Sequence, residues 1–136
     1  MVEIRIEYEG DLHCRLEHGP SKSVIVTDAP VDNQGKGAAF SPTDLLAASL
    51  GSCIMTTMGI YARRKEIDLS GSRVRVQKEM VADPLRRVGR LAVDVTMPDS
   101  VAAAQRPILE NVAHTCPVQK SLHPGVQVDV TFRYGL

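Results

Sequence analysis

The 136 residues are predicted to form one α+β domain, residues 1–136. Two observations support this prediction. Segments with strand patterns occur near both ends of the chain. Between them, residues 45–62 contain no charged side chain and have the length of a long helix. The resulting order is three strands, a long helix, two strands, a helical region and a final strand, which is typical of an α+β domain.

The first three strands are predicted before residue 28. Residues 2–8 alternate between apolar and charged side chains, which indicates a half-buried strand. A turn at residues 9–11 joins it to a second alternating segment, residues 12–18, so that the two form a hairpin. Residues 23–27 make a third strand, and residues 28–40 carry the proline, asparagine and glycines of a loop.

A strong helix start follows at Ser41-Pro42-Thr43-Asp44. Ser41 can cap the helix, Pro42 suits the first helical position, and Asp44 completes a capping-box pattern. The helix is predicted to run to about Lys65. Its uncharged stretch approaches the length of a membrane span, but its hydroxyl side chains and the amphipathic strands on both sides favour a helix buried in protein. Because one short chain offers few elements to surround it, we expect a second copy of the chain to help bury it.

The remaining elements follow the long helix. Residues 74–81 and 90–97 are two alternating strands, and residues 126–134 form the last strand. Residues 101–114 are predicted to be a second helix that Pro107 kinks or splits. A short helical pattern begins at Cys116-Pro117.

Composition excludes several classes of protein. Sixteen basic and sixteen acidic side chains give a formal net charge of zero, which argues against a nucleic-acid-binding protein. The chain has three cysteines, which is an odd number and too few for a secreted disulfide scaffold. The charged first residues do not resemble a signal peptide. We therefore expect a cytoplasmic protein, in which a disulfide is more often transient than structural.

Cys53 and Cys116 are the candidate reactive residues. Cys53 lies in the long helix, where a cysteine is commonly a small packed hydrophobe and where an apolar site raises the pKa of a thiol. Cys116 precedes Pro117, so it is predicted to be the N-cap of a helix, where backbone N–H groups favour a thiolate. Packing alone could also explain Cys116. If the two cysteines meet, reduction of a peroxide at a thiol is the chemistry they would support.

Other candidate residues have weaker signals. Arg15 lies on the opposite face of its strand from Cys14, and is either a solvated arginine or a cation that stabilises a thiolate. Asp44 precedes Cys53 by nine positions, about 13.5 Å and about 180° around a helix, so it would serve a thiol in another subunit or through an irregular first turn. Cys14 is taken as structural or incidental. The histidines near Cys14 and Cys116 do not have the usual spacing of zinc ligands, and no metal is expected.

The segment from Ser41 to Cys53, Ser-Pro-Thr-Asp-Leu-Leu-Ala-Ala-Ser-Leu-Gly-Ser-Cys, resembles the central-helix motif of the OsmC/Ohr family. This family contains osmotically inducible and organic hydroperoxide resistance proteins. The Cys116-Pro117-Val118 motif and the order of the elements match as well, so the resemblance covers essentially the whole chain. It implies an OsmC-like fold: an intertwined homodimer with two long central helices wrapped by β-sheets.

The resemblance also implies a function, namely thiol-dependent reduction of organic hydroperoxides and hydrogen peroxide in oxidative stress defence. Cys53 would be the peroxidatic thiol, which becomes a sulfenic acid, and Cys116 the resolving thiol, which closes a disulfide. An external dithiol, in some relatives a lipoylated protein, would reduce that disulfide, and no cofactor, nucleic acid or membrane is implied. Arg15, with Arg5 as the alternative, would activate Cys53, and Asp44 would supply the family's acidic residue.

The sequence departs from the hydroperoxide resistance members at one motif position. Those members carry an acid ten positions before the first cysteine, where this chain has Thr43 and places Asp44 one residue later. The chain therefore resembles the broad OsmC-like branch more closely. Two rival functions stay open at this point: a low-turnover redox-sensing stress protein, and a dimer that binds a small apolar ligand.

Overall fold

A computed structural model describes all 136 residues. The strands are β1 (Ile4–Gly10), β2 (His13–His18), β3 (Val24–Asp28), β4 (Arg73–Val81), β5 (Arg87–Met97) and β6 (Gln127–Tyr134), and the helices are α1 (Pro42–Arg64), α2 (Arg106–Ala113) and α3 (Pro117–Ser121). The residues group into two compact units, Met1–Leu46 and Ala47–Leu136. The mixture of helices and strands confirms the predicted α+β class.

The first unit contains an antiparallel sheet in the order β1-β2-β3. Its register places Ile6, Leu16 and Ile25 side by side on one face. The prediction that β1 is half-buried is wrong for the single chain, in which Ile4, Ile6 and Tyr8 are 58%, 63% and 62% exposed. The alternation identified the strand correctly, but alternation shows only which face is apolar and cannot show whether the same chain covers that face.

Helix α1 begins with the predicted capping box. The Ser41 N–H donates to Asp44 Oδ2 at 2.9 Å, and the Asp44 N–H donates to Ser41 Oγ at 3.1 Å. Two of the N–H groups that would otherwise lack a partner at this helix end are therefore satisfied reciprocally. Ser41 is only 1% exposed, so the cap is protected from water.

The second unit contains a sheet in the order β4-β5-β6, with β4 antiparallel and β6 parallel to β5. Alternate residues of β5 (Leu91, Val93, Val95) are fully buried, and so are Leu50, Ile54 and Met58 of α1. Helix α1 approaches β4 closely at Gly51, where an added Cβ would lie 2.7 Å from Val76 Cγ2. Glycine is therefore needed at this contact, which lies two residues before Cys53.

The helical region before β6 differs from its prediction. The sequence predicts a second helix over residues 101–114 that Pro107 kinks or splits. Instead a 3₁₀ turn at Ala103–Gln105 precedes α2, which begins at Arg106. Pro107 lies in the first turn of α2, where a helix does not need the N–H group that proline lacks. The proline therefore marks a helix start rather than a kink.

One face of α1 stays exposed in the single chain. Ser52, Thr56 and Ile60 lie on this face at helical spacing, and none of them is charged. By length and composition α1 could span a membrane, although 33% of its most apolar stretch is already buried within the chain. The helix is therefore not surrounded on all sides by its own chain.

Candidate functional site

Cys53 lies in the middle of α1, on the border between the buried and exposed faces. Its neighbour Ile54 is fully buried, whereas Ser52 is exposed. Cys53 itself is half-buried and free of any disulfide. Cys53 is therefore partly exposed to solvent in the single chain.

Cys116 occupies the position predicted for it, the N-cap of α3. Its backbone has φ −54° and ψ 127°, Pro117 is the first helical residue, and the Lys120 N–H donates to the Cys116 carbonyl at 3.1 Å. The side chain is fully buried, and the thiol is free. Proline at the first position and a non-helical residue before it together fix where this helix begins.

The structure brings these two cysteines together. Burial raises the pKa of Cys53, but three hydrogen bonds outweigh it: from the Cys116 thiol, from the Val118 N–H and from the Thr57 hydroxyl. The pKa of Cys53 therefore lies below that of an ordinary thiol. A hydrogen bond to the charged form favours that form, and donors of this kind offset the loss of water around a buried thiolate.

Cys116 is shifted in the opposite direction. Burial raises its pKa, and so does the hydrogen bond with Cys53, while the N–H groups of Gln119 and Val118 lower it less. The pKa of Cys116 therefore lies above that of an ordinary thiol. The pair is arranged so that Cys53 ionises first and Cys116 keeps its proton, which it donates to Cys53.

Sequence reasoning missed the other donors around the pair. Thr57 follows Cys53 by one helical turn, and its Oγ1 lies 4.0 Å from Cys53 Sγ. That spacing was a usable signal, since residues four apart share a helix face. The N–H of Val118 had no signal in the sequence, because it depends on how α1 and α3 approach each other.

Arg15 and Arg5 lie on the face of the first sheet opposite Cys14, as alternation predicts. Arg15 pairs with Val26 and Glu7 across the sheet, and its guanidinium lies 3.6 Å from the Glu17 carboxylate. Arg5 forms ion pairs with Glu3 and, at 3.7 Å, with Glu17. Both cations therefore have acidic partners on their own sheet, and Asp44 is a capping residue of α1.

No metal centre is formed by the cysteine and histidine side chains. No group of three or more histidine, cysteine, aspartate or glutamate side chains lies close enough to hold a metal ion. Cys14 is a half-buried free thiol opposite Tyr8 and Thr27 in the first sheet. His13, its neighbour in the sequence, binds Asp28 at 2.5 Å instead of joining a ligand set.

The chain matches the family model of OsmC-like proteins over residues 35–131. This match includes Cys53, Cys116 and the capping box. The chain belongs to the OsmC-like family. The comparison with curated proteins finds no match. The expected family membership and the OsmC-like fold are thus confirmed.

Solved structures of OsmC-like proteins extend this result. A Psychrobacter arcticus protein, provisionally named an osmotic stress induced and detoxification response protein, is 47% identical, with a TM-score of 0.92 over 98% of this chain and 96% of that chain. The organic hydroperoxide resistance protein OsmC of Legionella pneumophila is 17% identical, with a TM-score of 0.79 over 98% and 96%. For the organic hydroperoxide resistance protein OhrB of Bacillus subtilis the identity is 17% and the TM-score 0.69, over 98% of each chain. The two distant structures support the fold alone.

Proposed function

We propose that this OsmC-like protein is a cysteine-based peroxidase that reduces organic hydroperoxides, and hydrogen peroxide, in defence against oxidative stress. The observation that carries the proposal is the pair of Cys53 and Cys116, in which the partly exposed cysteine has the lowered pKa and the buried cysteine the raised pKa. The names of the Legionella and Bacillus structures, which refer to organic hydroperoxide resistance, support the same class of substrate.

The proposed reaction begins at Cys53. Its thiolate attacks the O–H oxygen of the hydroperoxide, the O–O bond breaks, and the alkoxide leaves and takes up a proton to become the alcohol. Cys53 is then a sulfenic acid. The Cys116 sulfur attacks it, a Cys53–Cys116 disulfide forms and water is released. An external dithiol, such as a lipoylated protein, reduces the disulfide, and no cofactor takes part.

Roles for Arg15 and Asp44 belong to the same proposal. A guanidinium stabilises a thiolate and a peroxide oxygen, and Arg15, or Arg5 in its place, would act this way. In the single chain Arg15 faces Glu17, so this role requires it to exchange that carboxylate for the thiolate. Asp44 would contribute beyond its cap at the site of another subunit.

We also infer that the protein is a cytoplasmic homodimer. The exposed apolar row on β1 and the uncharged exposed face of α1 are both surfaces that a second copy could cover. Small residues on α1, such as Gly59 and Ser52, allow another helix to approach closely.

Turnover with a dithiol tests the enzyme proposal. Reduced protein is mixed with cumene hydroperoxide and excess dithiothreitol or dihydrolipoamide, and hydroperoxide consumption is followed. A peroxidase consumes many equivalents, and Cys53→Ser consumes none above background. Consumption that stops after one equivalent would favour the redox sensor. If the thiols are never oxidised but Cys53→Ser still binds apolar ligands, the ligand-binding dimer would be favoured.

A further inference from the structure

Gln119 holds the one buried side-chain nitrogen or oxygen atom in the chain that lacks a hydrogen-bond partner. This atom is the amide oxygen Oε1, a hydrogen-bond acceptor. Buried polar atoms in folded proteins nearly always have partners, so an exception beside a reactive site requires an explanation. Folding has thus removed this oxygen from water without giving it a donor in return.

The position of Gln119 explains why its acceptor is free. Gln119 follows Cys116 by three residues, so the two side chains lie on the same side of α3. A glutamine at this position usually reaches back and accepts from the N–H of the N-cap residue. Here that N–H belongs to Cys116 and already donates to the Ala113 carbonyl at 3.4 Å. The usual donor is therefore occupied.

Gln119 is also tied to the cysteine pair through its backbone. Its N–H lies close enough to the Cys116 sulfur to lower the pKa of that thiol, although Cys116 makes no side-chain capping bond. The residue thus keeps a buried acceptor on the side of the helix that carries the cysteine pair. What the site lacks is an O–H group for that acceptor.

We propose that the Gln119 amide oxygen binds the O–H group of the hydroperoxide substrate. This inference rests on the proposed peroxidase function. An organic hydroperoxide has a single donor, the O–H on the oxygen that a thiolate attacks. When the O–O bond breaks, that oxygen and its hydrogen stay on Cys53 as the sulfenic acid, and the alkoxide leaves. One acceptor can therefore hold the same O–H before and after oxygen transfer.

The test is a Gln119→Met variant of the full chain. Methionine keeps the length of the side chain and its helix propensity, but it replaces the buried oxygen with an apolar group. Lys120→Met, which puts the same residue at an exposed neighbouring position, is the matched control. For each protein the rate at which cumene hydroperoxide consumes the Cys53 thiol is measured by rapid quench and peptide mapping.

A second reagent separates substrate binding from thiol reactivity. Methyl methanethiosulfonate reacts with thiolates but has no O–H group to donate. We expect Gln119→Met to react about tenfold more slowly than wild type with cumene hydroperoxide, as for one lost hydrogen bond, and at an unchanged rate with the methanethiosulfonate. Its melting temperature should be no lower than that of wild type, because an unpaired buried acceptor has been removed.

The outcomes distinguish the role of Gln119 from the proposed peroxidase function on which it rests. If wild type itself is not oxidised by the hydroperoxide, the peroxidase proposal fails. If wild type and Gln119→Met are oxidised at equal rates, the peroxidase proposal stands and the role of Gln119 is wrong. Equal slowing with both reagents would also overturn that role, because the substitution would then have changed the thiol itself.

Discussion

Cys116 donates a hydrogen bond to Cys53, and the two thiols shift each other's pKa in opposite directions. This relationship divides the roles between two side chains of the same type. Cys53 is half-buried on α1 and has a lowered pKa, whereas Cys116 is fully buried at the start of α3 and has a raised pKa. A partly exposed thiol with a lowered pKa is thereby placed next to a second thiol that can close a disulfide with it.

A Cys116→Ser variant should stop the proposed cycle at its first step. Cys53 remains able to attack the hydroperoxide, but no thiol is present to resolve the sulfenic acid. We expect one equivalent of hydroperoxide to be consumed and a dimedone adduct to appear on the Cys53 peptide by mass spectrometry. Cys53→Ser is the control and should give no adduct. An adduct on Cys14 in place of Cys53 would contradict the assignment.

The pH dependence of alkylation tests the thiol–thiol hydrogen bond. The iodoacetamide reaction follows the thiolate, so its rate at Cys53 should rise with pH and level off below the range of an ordinary cysteine. Cys116→Ala removes a donor to Cys53, so its profile should shift to higher pH. Cys116→Ser retains an O–H donor and should shift less. Identical profiles for the alanine and serine variants would show that this bond does not set the pKa of Cys53.

The capping box predicts a stability difference at residue 44. Asp44→Ala removes the acceptor for the Ser41 N–H and should lower the free energy of unfolding by about 1 kcal/mol, a typical value for a lost helix cap. Asp44→Asn keeps a side-chain oxygen at the same place and should lose less. The measurement is urea unfolding followed by circular dichroism, and equal losses in the two variants would argue against the capping bond.

A Thr56→Lys variant tests the proposed dimer. It places a charge on the uncharged exposed face of α1, where we expect a second copy to pack. Lysine has a higher helix propensity than threonine, so dissociation could not be attributed to a weaker helix. Sedimentation velocity should find dimers for wild type and for Ala104→Lys, an exposed control, but monomers for Thr56→Lys. A dimeric Thr56→Lys protein would exclude this face as the interface.

Local signals in the sequence predicted most of the fold. The Ser41–Asp44 capping box and the Cys116-Pro117 motif predicted the starts of α1 and α3 correctly, because a helix cap depends on residues within one turn. The start of α2 at Arg106 was not predicted, since a proline inside an apolar helical pattern can kink a helix, split it or lie in the first turn of a new one.

The candidate site was predictable only in part. Cys53 and Cys116 were found from their contexts and from the family resemblance. Their mutual hydrogen bond, the donation from Val118 and the unpaired Gln119 oxygen depend on the approach of α1 and α3, elements far apart in the chain. The exposure of β1 was missed for a related reason, because alternation does not reveal what covers a strand.

The most direct test of the central claim is the intact mass and free-thiol count of reduced protein after one equivalent of cumene hydroperoxide. Our account predicts the loss of two hydrogens, two fewer free thiols, and a Cys53–Cys116 link in the peptide map, with Cys14 still free. No change in mass or thiol count over minutes would contradict it, and so would a disulfide that joins Cys14 to either of the other cysteines.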